Sequence, residues 1–189
     1  MTVISGLLIL GLMLGMVALA HQPTSPLASG PGRFQARAVS HAATIRMNGP
    51  VEKVFPLFGP VRESEWAPGW SPDLVYPTDS EVAEGMVFKT PGEEGETLWV
   101  ITRYDPEQHT VVYANVTPGY MVNRILIHCS AAGSGETDAT VAYSHVALGE
   151  HGNDFVQHMD EQAYAAKMEH WRLAINYRLE TGKTIPAHH

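Results

Sequence analysis

The chain has 189 residues, 44% hydrophobic and 17% charged, with a formal net charge of −8 at pH 7 that owes nothing to its first 20 residues. A nucleic-acid binder needs the opposite balance to displace counterions from phosphates, so nucleic acid is excluded as a partner. Cys129 is the only cysteine, which rules out an intramolecular disulfide and a cysteine-built zinc cluster.

Residues 3–20 (VISGLLILGLMLGMVALA) carry no charged side chain. Their length lies where signal-peptide cores and short membrane spans overlap. Ala18-Leu19-Ala20, followed by polar His21-Gln22-Pro23, forms a small-x-small cleavage pattern that favours export and removal. No Lys or Arg precedes the segment, whereas Arg33 and Arg37 follow it, which favours a retained anchor under the positive-inside rule. Both alternatives stand, and both start the domain at a membrane. Residues 21–40, rich in Pro, Ser, Gly and Ala, read as a flexible linker, leaving about 150 residues for one domain with one core. The domain is expected over 41–182, with a short tail at 183–189.

Ala43, Thr44, Ile45, Arg46 and Met47 alternate as a strand. Pro50 suits the first turn of a helix, and Val51, Val54, Phe55 and Phe58 then fall on one face. Pro56 and Gly59-Pro60 keep that helix short. A second brief turn covers 61–66 before Pro68-Gly69 redirects the chain. Trp66 and Trp70 either plug one end of the sheet or wall a pocket, and the two roles are compatible.

Strands follow at hairpin spacing over 74–76, 86–90, 98–104, 110–116, 122–130 and 137–147, separated by turn clusters such as Thr117-Pro118-Gly119. Loops this short make consecutive strands antiparallel neighbours. From Asn153 to Thr181 there is neither Pro nor Gly, so one long helix is expected, capped by Asn153 and stopped by Gly182. Tyr164, Met168, Trp171, Ile175 and Leu179 stripe one side, while Phe155, Met159, Ala163 and Ala174 favour the other. Such a helix is covered twice or bends.

The ordered segments ATIRMNGPVEKVFPLF (43–58), EWAPGW (65–70), LWVITRYD (98–105) and TVAYSHVAL (140–148) resemble the START-like helix-grip superfamily (SRPBCC), closest to bacterial members that include polyketide cyclases and lipid-transport-like proteins. The resemblance spans about 41–181. It implies an α+β helix-grip fold: a curved seven-stranded antiparallel sheet around a long C-terminal helix, two short helices after strand 1, and an apolar cavity for a lipid, sterol or polyketide-like ligand. The superfamily has no shared catalytic motif to carry over.

Strand periodicity names the cavity wall. Val141, Tyr143 and His145 point inward with Ile125, Ile127 and Cys129, while Arg124, Leu126 and His128 point away. Phe88, Trp99 and Ile101 join the wall with Trp66 and Trp70, and Phe155 and Met159 form the lid. Candidates for acid/base chemistry are His145, titrating near neutral pH, Tyr143, orienting a carbonyl, and Glu65, a carboxylate in an apolar mouth. Each also has a purely structural role available, Glu65 as the partner of Arg62.

The ten histidines lack metal-ligand spacing, so no metal is expected, and no cofactor either, because phosphate-binding glycine motifs and a nucleophile elbow are missing. The expected activity is binding of a hydrophobic small molecule as carrier or sensor. The alternatives are a cyclase or dehydratase and a partner-binding module. No motif encodes the ligand's identity or an oligomeric state.

Overall fold

The structure, a computed structural model, describes residues 33–186 except 80 and 134. The apolar leader with its cleavage pattern, the linker up to residue 32, and the His188-His189 tail lie outside the described residues. No helix among the described residues is long and apolar enough to cross a membrane.

Seven strands form one sheet: β1 (Ala38–Met47), β2 (Asp73–Tyr76), β3 (Val87–Thr90), β4 (Thr97–Asp105), β5 (Thr110–Thr117), β6 (Met121–Ala131) and β7 (Thr137–Ala147). Their order is β1-β7-β6-β5-β4-β3-β2, with every pairing antiparallel. Short hairpins make β2 to β7 consecutive neighbours, and β1 closes on β7 from Ala38 opposite Val146 to Met47 opposite Thr137. β1 thus begins before His41, where the sequence placed the start of the domain.

The two-residue period holds along the central strands. Ile125, Ile127, Cys129, Val141, Tyr143 and His145 are buried on the concave face, while Arg124 and His128 on the other face are exposed and Leu126 is half-buried. A bulge between Ile101 and Arg103 adds one residue to β4, so Ile101 and Tyr104 both serve the concave side, Tyr104 stacking on Phe55 at 5.9 Å.

Two short helical pieces follow β1. Helix α1 (Val51–Val54) runs into a 3-10 turn, Phe55–Phe58, and a second 3-10 turn covers Arg62–Glu65. Val51, Val54, Phe55 and Phe58 are buried, as their spacing demands; Pro50 is the N-cap rather than a first-turn residue.

The C-terminal helix departs from expectation. Instead of one helix capped by Asn153 there are two, α2 (Glu150–His158) and α3 (Glu161–Thr181), broken at Met159. Asp160 caps α3 by accepting from the Ala163 N–H at 2.8 Å, and Gly182 ends it in the left-handed conformation at φ 70°. Asn153 lies inside α2, buried, because its amide clips the chain before β1: Oδ1 accepts from the Arg37 N–H at 2.8 Å and Nδ2 donates to the Gln35 carbonyl at 3.0 Å. Gly152 lets α2 reach the β5–β6 turn, since a Cβ there would lie 2.1 Å from the Tyr120 carbonyl oxygen.

The break resolves the helix with two apolar sides. Phe155 and Val156 serve α2, and Tyr164, Met168, Ala174 and Ile175 of α3 bury against the sheet. Asn176 ties α3 to the end of β1, accepting from the Asn48 N–H at 2.8 Å, and Tyr164 donates to the Val141 carbonyl at 2.8 Å.

Candidate functional site

Three spaces, rather than one continuous cavity, bear on the expected site: two border α3, and the third lies between the short helical turns after β1 and strands β4 and β5. The central one is about 20 Å³, walled by Trp70, Phe88, Trp99, Ile125, Ile127, Tyr143, Tyr113, Trp171 and Glu63. That volume holds about one water. Aromatic rings fill the rest: Phe88 stacks on Trp99 at 5.5 Å, and Tyr113 and Trp70 meet Trp99 edge-on at 6.1 and 5.4 Å. The large spaces lie to either side. An apolar cavity of about 280 Å³ sits among Phe55, Val61, Val82, Tyr104, Val111 and Tyr113. A groove of about 250 Å³ is bounded by Trp99, Asn115, Thr117, Tyr143, His145, Phe155 and Lys167. Tyr113 is common to the apolar cavity and the centre, and Trp99 and Tyr143 to the centre and the groove.

The expected lining residues therefore divide. Trp70, Phe88, Trp99, Ile125, Ile127 and Tyr143 meet at the central cavity, and Trp99, Tyr143, His145 and Phe155 at the groove. Trp66, Ile101 and Val141 line none of these spaces and are packed in the core. Trp66 is the plug, its indole N–H donating to the Leu57 carbonyl at 2.7 Å and its ring 5.3 Å from Trp171. Met159 sits at the α2–α3 break, where its carbonyl oxygen lies 2.8 Å from His41 Nε2.

Glu65 is not a poised proton acceptor. It is held by Arg62 at 2.8 Å and by Arg178 of α3 at 2.7 Å, and these bonds, Arg62's first, keep its carboxyl below the ordinary range. The neighbouring Glu63, in the wall of the central space, is the glutamate whose carboxyl is raised. Its side chain makes no hydrogen bond among the described residues, and burial pushes its pKa up to about 8 against the opposing pull of Lys167.

His145 differs from expectation too. Burial first, then Lys167 and His41, lower its pKa to about 4, so it is neutral rather than titrating near pH 7. Asn123 gives its amide N–H to Asn115 Oδ1 at 2.8 Å, so its own Oδ1 accepts from His145 Nδ1 at 2.6 Å. That leaves Nε2 an acceptor, and it is buried without a partner. Tyr143 stacks on the His145 ring at 5.2 Å, and its phenol is raised by burial beyond any physiological titration. Cys129 is inert: buried, with its thiol pushed up to about 12.

Lys167 was missed in the sequence although a signal existed. It lies between Tyr164 and Trp171 on the apolar stripe of α3, where a solvated lysine has no place. Its ammonium sits 3.8 Å from the Tyr143 ring centroid and 5.8 Å from that of Trp171, and burial lowers its pKa to about 8. Among the described residues no three His, Cys, Asp or Glu side chains gather where a metal ion would fit.

No protein-family model matches the sequence, and no curated protein matches it. Solved structures do match in fold. Norcoclaurine synthase from Thalictrum flavum is 9% identical with a TM-score of 0.57, over 83% of this chain and 98% of that one. A further structure of that synthase, 12% identical with a TM-score of 0.55, is described in complex with dopamine and hydroxybenzaldehyde. The Zhui aromatase/cyclase from Streptomyces sp. R1128 is 13% identical, with a TM-score of 0.53 over 80% and 100% of the two chains. The major latex-like protein 151 from Panax ginseng is 16% identical, with a TM-score of 0.53 over 79% and 99%. Together with the seven-stranded antiparallel sheet, the short helices after β1 and the long C-terminal helix, these matches show that the chain has the helix-grip fold.

Proposed function

We propose that this protein binds a hydrophobic small molecule between its sheet and α3, as a carrier or sensor at or beyond a membrane. One observation carries the reading. Trp99 and Tyr143 alone separate the groove from the central space, and Tyr113 separates that space from the apolar cavity, so that a ligand seated in the groove displaces one ring to reach the centre. At about 280 and 250 Å³ the two spaces lie just under the usual ligand-pocket range of about 300–1,000 Å³ and suit a small ligand. The groove is the entrance, because its rim is polar and its floor aromatic. The N-terminal apolar segment delivers the domain to the membrane.

The test is extraction of the purified protein with organic solvent followed by mass spectrometry. A stoichiometric hydrophobic compound is the expected result. An empty extract, together with no quenching of tryptophan fluorescence by naphthalene-type probes, contradicts the reading.

A catalytic reading, acid/base chemistry on a polyketide-like substrate, is supported by one group, Glu63, whose raised pKa and place in the central wall suit proton transfer at neutral pH. On that reading Glu63→Gln lowers turnover about 100-fold or more, while Glu65→Gln leaves it within about twofold.

A further inference from the structure

The groove offers an uncommon set of polar groups on an aromatic floor. His145 is 3% exposed, yet its Nε2, fixed as an acceptor by the Asn115–Asn123–His145 chain, has no donor. A buried acceptor without a partner costs about 1–3 kcal/mol unless a bound molecule supplies the missing hydrogen. Lys167 borders the same groove; its ammonium rests on aromatic faces and feels the charge of Glu63, but no carboxylate among the described residues lies in ion-pair contact with it. Asn115, buried, spends its carbonyl on Asn123, and its amide N–H groups make no hydrogen bond among the described residues. Tyr143 holds the set together: Lys167 lies over its ring at 3.8 Å, and the imidazole stacks on it at 5.2 Å. Acceptor and cation are therefore within the length of one small aromatic molecule.

We propose that the groove selects an aromatic hydroxy acid, its ring against Trp99, Tyr143 and Phe155, its hydroxyl donating to His145 Nε2, and its carboxylate accepting from Lys167 and the Asn115 amide. This deepens the ligand-binding reading above and rests on it. A lipid with a bare acyl chain satisfies neither His145 nor Lys167. A phenol satisfies His145 alone, and an aryl acid without a hydroxyl satisfies Lys167 alone.

The experiment is a tryptophan-quenching titration of the purified full-length chain with naphthalene, 2-naphthol, 2-naphthoate and a set of hydroxy-2-naphthoates differing in hydroxyl position. The best hydroxynaphthoate is expected to bind at least tenfold more tightly than both 2-naphthol and 2-naphthoate. Lys167→Met abolishes the preference for the acid over the naphthol, Lys167→Arg retains it, and His145→Phe, which keeps the ring stack, abolishes the preference for the hydroxylated acid. Binding of all the arenes with equal affinity overturns this inference and leaves the ligand-binding reading standing, whereas binding of none overturns both. Preferences that survive Lys167→Met and His145→Phe also overturn it. Should His145→Phe fail to fold, the wild-type ligand series and the two Lys167 variants decide.

Discussion

Two glutamates in one 3-10 turn show how far a residue's neighbours decide its chemistry. Glu65 meets Arg62 and Arg178 and is held as a carboxylate, whereas Glu63 faces aromatic rings and holds its proton up to a pKa of about 8, against an ordinary 4.5. Between those values the folded chain keeps a proton that the unfolded chain has lost. Stability therefore falls as pH rises through that window, by at most about 1.4 kcal/mol per pH unit. Lys167, lowered to about 8 from 10.5, acts in the opposite sense above that pH, and His145, lowered to about 4 from 6.5, costs stability as pH falls below 6.5. In urea denaturation from pH 5 to 8, Glu63→Gln gains on wild type as pH rises; two parallel curves contradict the burial of Glu63. Glu65→Ala loses only about 1 kcal/mol, because its ion pairs are partly exposed. The Arg62–Glu65 pairing was legible in the sequence; the difference between the two glutamates was not. Both residues are polar, and the selecting partner, Arg178, comes from the far end of α3.

Elements were more legible than side-chain chemistry, because periodicity survives without knowledge of contacts. The alternation of Val141, Tyr143 and His145 placed the concave face correctly, and Gly182 marked the end of α3. The break at Met159–Asp160 escaped because Asp160-Glu161 reads as a solvated pair, whereas here Asp160 is a cap. Asn153, a good cap by type, is spent on the chain before β1. Asp160→Ala should cost about 1 kcal/mol and fray the start of α3, seen as faster amide exchange over its first turn. Gly152→Ala forces a Cβ against the Tyr120 carbonyl and should cost about 1–3 kcal/mol despite alanine's better helix propensity. A variant as stable as wild type in thermal melts shows that α2 can move off the β5–β6 turn at no cost.

For the whole molecule, the sequence carried the helix-grip architecture but not the shape of its interior. Hydrophobic patterning names the residues that face inward; it does not say whether their rings meet. Here Phe88, Trp99 and Tyr113 meet and divide the interior into an apolar cavity, a water-sized centre and an amphipathic groove. Trp99→Ala joins the centre to the groove at a cost of about 3–5 kcal/mol, which a bound hydrophobic ligand partly restores in thermal melts. The most direct measurement is NMR of the protein with a naphthalene-type ligand, recording intermolecular NOEs. Contacts from ligand protons to Trp99, Tyr143 and Phe155 are the predicted result. NOEs confined to residues on the convex face, such as Leu126 or Val146, would place the ligand outside the sheet–helix space and contradict the account.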